Sequence, residues 1–161
     1  MLIDVVTTAA PAGWTILRVD TWKPLEFVDL TDRLASLACG LGSGCLHVFT
    51  RHTTTGLLIN EAEPLLLQDL ADRLERWAPA NGCYGHDDFS RRVVNLGPGE
   101  RVNGHAHCRA ALFRSSESVP VVGGALCLGR WQRVLLAEFD GPQTREVMVM
   151  LTSLRETGRL G

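Results

Sequence analysis

The chain has 161 residues, a formal net charge of −2, 45% hydrophobic and 21% charged residues. That is the length of one domain (residues 1–161) with one sizeable core, and the composition of a soluble globular protein. It carries no polybasic run to meet nucleic acid or an anionic membrane, and its longest apolar runs are far shorter than a membrane span. The start, Met1-Leu2-Ile3-Asp4-Val5-Val6, has an early acid and no basic segment before an extended apolar stretch, so no signal peptide is expected and the cytoplasm is the expected compartment. The five cysteines (Cys39, Cys45, Cys83, Cys108, Cys127) are odd in number and none has Cys-x-x-Cys spacing. They fit small buried residues, not a disulfide framework or a thiolate zinc knuckle.

In chain order, Met1–Thr8 is rich in Val, Ile and Thr and predicts a strand. Ala9–Gly13 predicts a turn and Trp14–Trp22 a second strand in a hairpin with the first. Phe27, Leu30, Leu34, Leu37 and Ala38 recur at helical spacing, which predicts a helix over Phe27–Gly40, with Asp29 or Thr31 as its cap. After a Gly-rich loop, Cys45–Thr50 alternates as a strand, and His47 inside it fits a hydrogen-bonded structural residue. Arg51–Glu61 then packs an imidazole, three hydroxyls, an amide and a carboxylate around the apolar run Leu57–Ile59. This reads as a strand, Thr55–Asn60, with functional groups at both ends: His52, Thr53 and Thr54 before it, Asn60 and Glu61 after it. The plainer alternative is a turn whose threonines satisfy backbone groups.

Pro64 stands at a helix start, and Leu66, Leu67, Leu70, Leu74 and Trp77 give that helix an apolar face. Ala80–Asn103 is irregular and Gly-rich, with an Arg91-Arg92-Val93-Val94 island; loops of this length are usually functional or mobile. A short helix over Asn103–Phe113, capped by Asn103, carries His105 and His107. Ser118–Val122, Ala125–Leu128, Arg133–Glu138 and Arg145–Leu151 read as a closing β-meander. The class is α+β: one domain, mainly antiparallel sheet, with two or three helices on one face.

The chemistry concentrates in five histidines: His47, His52, His86, His105 and His107. Neutral imidazole is the commonest metal ligand, and three of them plus water make a catalytic zinc pattern. His105 and His107 lie two apart and point differently on a helix, so at most one joins a given site. Ser115-Ser116-Glu117-Ser118 is either a polar turn or a phosphate cradle served by Arg109, Arg114 or Arg145. Glu138 and Asp140 end an alternating strand as candidate bases or turn formers.

Five blocks, in order, resemble the YjbQ family, whose members are also described as secondary thiamine-phosphate synthases. They are His52-Thr53-Thr54 with Asn60-Glu61; Tyr84-x-His86; Ala106-His107; Ser116-x-x-Val119-Pro120-Val121; and Gly124-x-x-x-x-Gly129-x-Trp131-Gln132 followed by Glu138-x-Asp140-Gly141-Pro142. The resemblance implies a homotrimer with its site near a subunit boundary. It also implies a divalent metal, usually zinc, held by His52, His86 and His107. Asn60, Glu61 and Glu138 would serve catalysis; Thr53, Thr54, Ser116, Trp131, Gln132 and Arg145 would meet a small phosphorylated substrate. The implied reaction condenses hydroxymethylpyrimidine diphosphate with thiazole phosphate and releases pyrophosphate, as a side activity, with magnesium available to the diphosphate. Two alternatives stand beside it: a metal-dependent hydrolase, and a non-enzymatic trimer that binds metal or a small ligand. Arg130 and Gln143 depart from the family pattern, which has Thr and Arg there.

Overall fold

Two antiparallel sheets stack over a shared apolar interior, and the computed structural model describes residues 3–6, 13–40 and 42–153 of it, the first segment as backbone only. Its strands are β1 (Ile3–Val6), β2 (Trp14–Asp20), β3 (Glu26–Asp29), β4 (Gly44–Thr50), β5 (Thr55–Asn60), β6 (Ser116–Val122), β7 (Ala125–Leu126), β8 (Arg133–Glu138) and β9 (Thr144–Ser153). Its helices are α1 (Thr31–Ala38), α2 (Pro64–Trp77) and α3 (Gly104–Ala110). A six-stranded sheet runs β1-β2-β9-β4-β6-β7, and a three-stranded sheet runs β3-β8-β5. The expected turn at residues 9–12 lies outside the described residues.

The strand periodicity explains the layering. Leu17 and Val19 of β2, Leu46 and Val48 of β4, and Val147 and Val149 of β9 are buried on one face of the larger sheet. They meet Val28, Leu57, Val134 and Leu136 from the smaller sheet, and α1 adds Leu34 and Ala38. The other face of the smaller sheet holds Ala137, with Phe27 and Leu58 packed on it. Leu74 of α2 and Ala106 of α3 cover that face, so it lies under the helices. β8 is the middle strand of three and is buried on both faces from Val134 to Glu138. That is why its sequence is a continuous apolar run where a one-sided strand would alternate.

Several expectations need correction: Arg133–Glu138, expected to alternate, is the continuous apolar run just described, and the cysteines, expected to be buried, are exposed or half-buried. The helix predicted over Phe27–Gly40 is a strand followed by a shorter helix. Phe27 and Val28 pair with Ala137 and Leu136, and the chain turns at Leu30, where the Asp29 carboxylate accepts the Thr31 N–H at 2.8 Å. Phe27 matched the helical spacing by coincidence; tertiary pairing outweighs local pattern over so short a stretch. The closing strands are not a meander, because β8 leaves the larger sheet for the smaller one while β6, β7 and β9 stay. Asn103 does not cap α3 with its side chain. Asp87 does so, accepting the N–H groups of Asn103 and Gly104 at 3.0 and 2.9 Å.

Candidate functional site

The loop between β4 and β5, the single 3-10 turn Gly85–Asp87, helix α3 and the turn after β8 converge at one end of the smaller sheet. There His86 and His107 lie with ring centroids 4.5 Å apart and planes tilted by 59°. A polar cavity of about 720 Å³ opens beside them, with Thr53, Thr54, Asn103, Asp140 and Arg145 on its wall. The loop 92–100 closes its outer side with Arg92, Asn95 and Glu100. No cysteine lines it.

Each charged group here already has an assigned partner. Arg145 donates through Nε and Nη2 to Glu138 at 2.5 and 2.6 Å and through Nη2 to Thr54 Oγ1 at 3.0 Å. Glu138 is fully buried, and it also accepts the N–H groups of Phe139 and Asp140 and the Thr21 hydroxyl. A carboxylate bound by a guanidinium fork and three further donors has no lone pair to spare for a substrate proton. Glu138 is therefore corrected from catalytic base to the anchor that holds Arg145 in place. Arg92 bridges Glu100 at 3.1 Å, the Asn95 carbonyl at 2.7 Å and His86 Nε2 at 3.0 Å. A guanidinium can only donate, so Nε2 of His86 is the acceptor and the ring proton sits on Nδ1. The Gly97 N–H and then Arg92 hold the Glu100 carboxyl below the usual range. Asp140 meets Arg101 at 3.0 Å and the Asn103 amide at 2.9 Å.

His107 differs from its neighbours. No hydrogen bond among the described residues engages its ring, and it lines both the polar cavity and a second one of about 590 Å³. Burial, then the adjacent His86, pushes its pKa below the ordinary histidine value. His52 is lowered as well, by burial and then by Arg145. Its Nε2 accepts the Glu146 N–H at 2.9 Å, so its lone pair is occupied.

The donors of one chain do not fit the zinc expected at His52, His86 and His107. His52 Nε2 and His86 Nε2 each accept a hydrogen bond, and among the described residues no group of three or more His, Cys, Asp or Glu side chains is placed to hold a metal. The two carboxylates of the cavity, Glu100 and Asp140, are paired with arginines.

Several expected site residues lie elsewhere. β5 has six residues and spans roughly 17 Å, with His52 before one end and Glu61 past the other. Glu61 and Trp131 line a separate hollow with Asp29, Glu63, Arg130 and Arg133. Asn60 turns its side-chain oxygen to the Glu61 N–H at 2.9 Å. Gln132 accepts the Gly129 N–H at 2.8 Å and lines a third hollow beside Leu57 and Leu112. Ser116 is exposed in β6 opposite Phe49, while its neighbour Ser115 lines the second cavity. Thr53, Thr54, Arg145, His86 and His107 do come together. Arg92 and Asn103, read from the sequence as part of an island and as a helix cap, join Asn95 and Glu100 in the site, and the length of the 80–103 loop is the signal that points to them.

A family model described as UPF0047 protein YjbQ-like matches residues 15–154. A UPF0047 protein of Archaeoglobus fulgidus is 40% identical over 133 residues, 83% of this chain and 96% of the relative. One of Methanothermobacter thermautotrophicus is 35% identical over 135 residues, 83% and 87% of the two chains. The crystal structure of a hypothetical protein from Aeropyrum pernix K1 superposes with a TM-score of 0.76 at 32% identity, over 88% of this chain and 98% of that one. An uncharacterized conserved protein of the yjbq/upf0047 family from Clostridium acetobutylicum gives 0.73 at 32% identity, over 85% and 98%. These matches carry family and fold and no reaction: the relatives are named only as UPF0047, hypothetical or uncharacterized proteins. The thiamine-phosphate synthase activity and the metal-dependent chemistry expected from the resemblance are corrected accordingly. What stands is the family and its fold.

Proposed function

The chain belongs to the UPF0047 YjbQ-like family, and from that premise we propose that its polar cavity binds a small oxyanion-bearing molecule, a phosphate ester or carboxylate, and that His107 accepts a proton from it. The observation that carries this reading is the free imidazole of His107 on the wall of the same cavity as a buried, rigidly held Arg145. A histidine kept neutral near physiological pH is a competent general base. Arg145 and the Thr54 hydroxyl supply pre-oriented polar groups for the oxyanion, which avoids reorganisation when the ligand arrives. The proton leaves His107 for the product or for solvent through the open cavity.

The reading includes a homotrimer, supported by side chains on the outer face of the larger sheet: Phe49 is exposed, and Met148 and Met150 beside it are only half-buried. It also includes a reducing compartment such as the cytoplasm, supported by five free thiols. No helix of the described residues is long and apolar enough to cross a membrane.

The test is a titration of 15N-histidine-labelled protein with methylphosphonate, followed by NMR. The His107 ring signals are expected to move, and its pKa to rise, because a bound anion favours imidazolium. Unmoved His107 signals at saturating methylphosphonate would reject the reading.

A further inference from the structure

The polar cavity has a neighbour. The second cavity lies on the far side of His107, and His107 and Thr53 are the two residues that line both. The walls differ in kind. Away from the junction the second cavity is formed by Phe49, Ala110, Ala111 and Phe113. Phe113 is fixed against Phe139, ring centroids 5.0 Å apart, and the two alanines leave room where larger side chains would fill it.

The polar groups of the second cavity ask little of a ligand, because beyond His107 all but the Thr53 and Ser115 hydroxyls have partners within the chain. Thr50 and Thr55 share a hydrogen bond of 2.5 Å, and Thr55 also donates to the His52 carbonyl at 3.2 Å. His52 receives the Glu146 N–H, and Arg51 pairs with the Glu146 carboxylate at 3.2 Å. What remains open is aromatic and methyl surface, which gains free energy by losing water. Both cavities have the size of small-molecule sites, which are typically apolar with a few placed polar groups.

We propose that the two cavities form one site for an amphipathic molecule: its oxyanion head lies in the polar cavity, its apolar or aromatic body lies between Phe49, Ala111 and Phe113, and the bond between head and body passes His107. This rests on the oxyanion reading above and names the substrate class for it. It also gives His107 its reason for standing unpartnered, since it lies where the two halves join.

Binding of methylphosphonate and phenylphosphonate to the full chain, measured by calorimetry, tests the proposal. Both carry the same head and differ in the body. The wild type is expected to bind phenylphosphonate about tenfold more tightly. In Ala111→Trp, an exposed position at the end of α3, the indole fills the apolar cavity. That variant is expected to lose the phenyl advantage, its phenylphosphonate affinity falling to that of methylphosphonate. Equal affinities in the wild type, with methylphosphonate still bound, overturn this inference alone and leave the oxyanion site standing. A phenyl advantage that survives Ala111→Trp puts the ring elsewhere and also overturns it. Failure of both probes to bind removes the oxyanion site, and this inference with it.

Discussion

Three histidines contribute to the chain's acid sensitivity. His52, His105 and His107 are each pushed below the ordinary histidine pKa, with burial the first cause in every case. For His105 the next cause is Arg109, and its Nδ1 is buried without a hydrogen-bond partner. A lowered folded-state pKa means that the unfolded chain binds more protons in the window below its own histidine pKa. Stability is therefore complete above about pH 6.5 and falls as the pH drops towards 5. Scanning calorimetry across that range should show the melting temperature falling on acidification, by on the order of 2–4 °C for each kcal/mol lost. His105→Gln should flatten the curve. A melting temperature that rises on acidification would contradict the assignment. At this same scale the sequence was readable for residue type and misleading for role. Glu138 looked like a base because carboxylates at strand ends often are, but its five donors come from Thr21, Phe139, Asp140 and Arg145, and a linear chain does not reveal that enclosure.

Among the elements, α3 matters most, because it carries His107 and its start is held by a residue seventeen positions upstream. Asp87 accepts the first N–H groups of the helix, and Tyr84 packs against Gly104, where a Cβ would run into the Tyr84 ring and the Asp87 carboxylate. Gly104→Ala is expected to cost about 1–3 kcal/mol by overpacking and to weaken methylphosphonate binding by displacing α3. Urea unfolding and calorimetry measure the two effects. The comparison variant is Glu63→Ala. It removes the side chain that accepts the Leu65 and Leu66 N–H groups at the start of α2, which should cost about 1 kcal/mol and leave binding unchanged. If Gly104→Ala leaves binding intact, α3 does not set the position of His107. The elements themselves were largely legible. β5 and α2 have the expected bounds because Pro64, the apolar run and the helical periodicity are local signals. β3 was not legible: four residues with two large apolar side chains fit either period, and β8 decides.

The whole molecule is a stack of six-stranded sheet, three-stranded sheet and helices, and the stack leaves the outer face of the larger sheet uncovered by the described residues. If three copies bury Met148 and Met150 against one another, light scattering will give three times the chain mass, and Met148→Glu will lower it to that of one chain. A wild-type monomer at micromolar concentration would end the trimer reading. The layering also divides the constellation that the sequence groups together. His52 and Glu61 lie in one eleven-residue stretch, yet a strand rises about 3.3 Å per residue and carries them to opposite ends of β5. His86 and His107 are far apart in the chain, yet Asp87 ties the 3-10 turn to the start of α3 and brings their rings together. By itself the sequence determined the α+β class, most strand and helix bounds, the family, and the residue types available for chemistry, because periodicity, turn residues and motif order are local or linear properties. Only the tertiary structure decided which of those residues meet and which lone pairs stay free, because both depend on pairing between distant segments: β3 and β5 on either side of β8, Arg145 on Glu138, and Arg92 on His86.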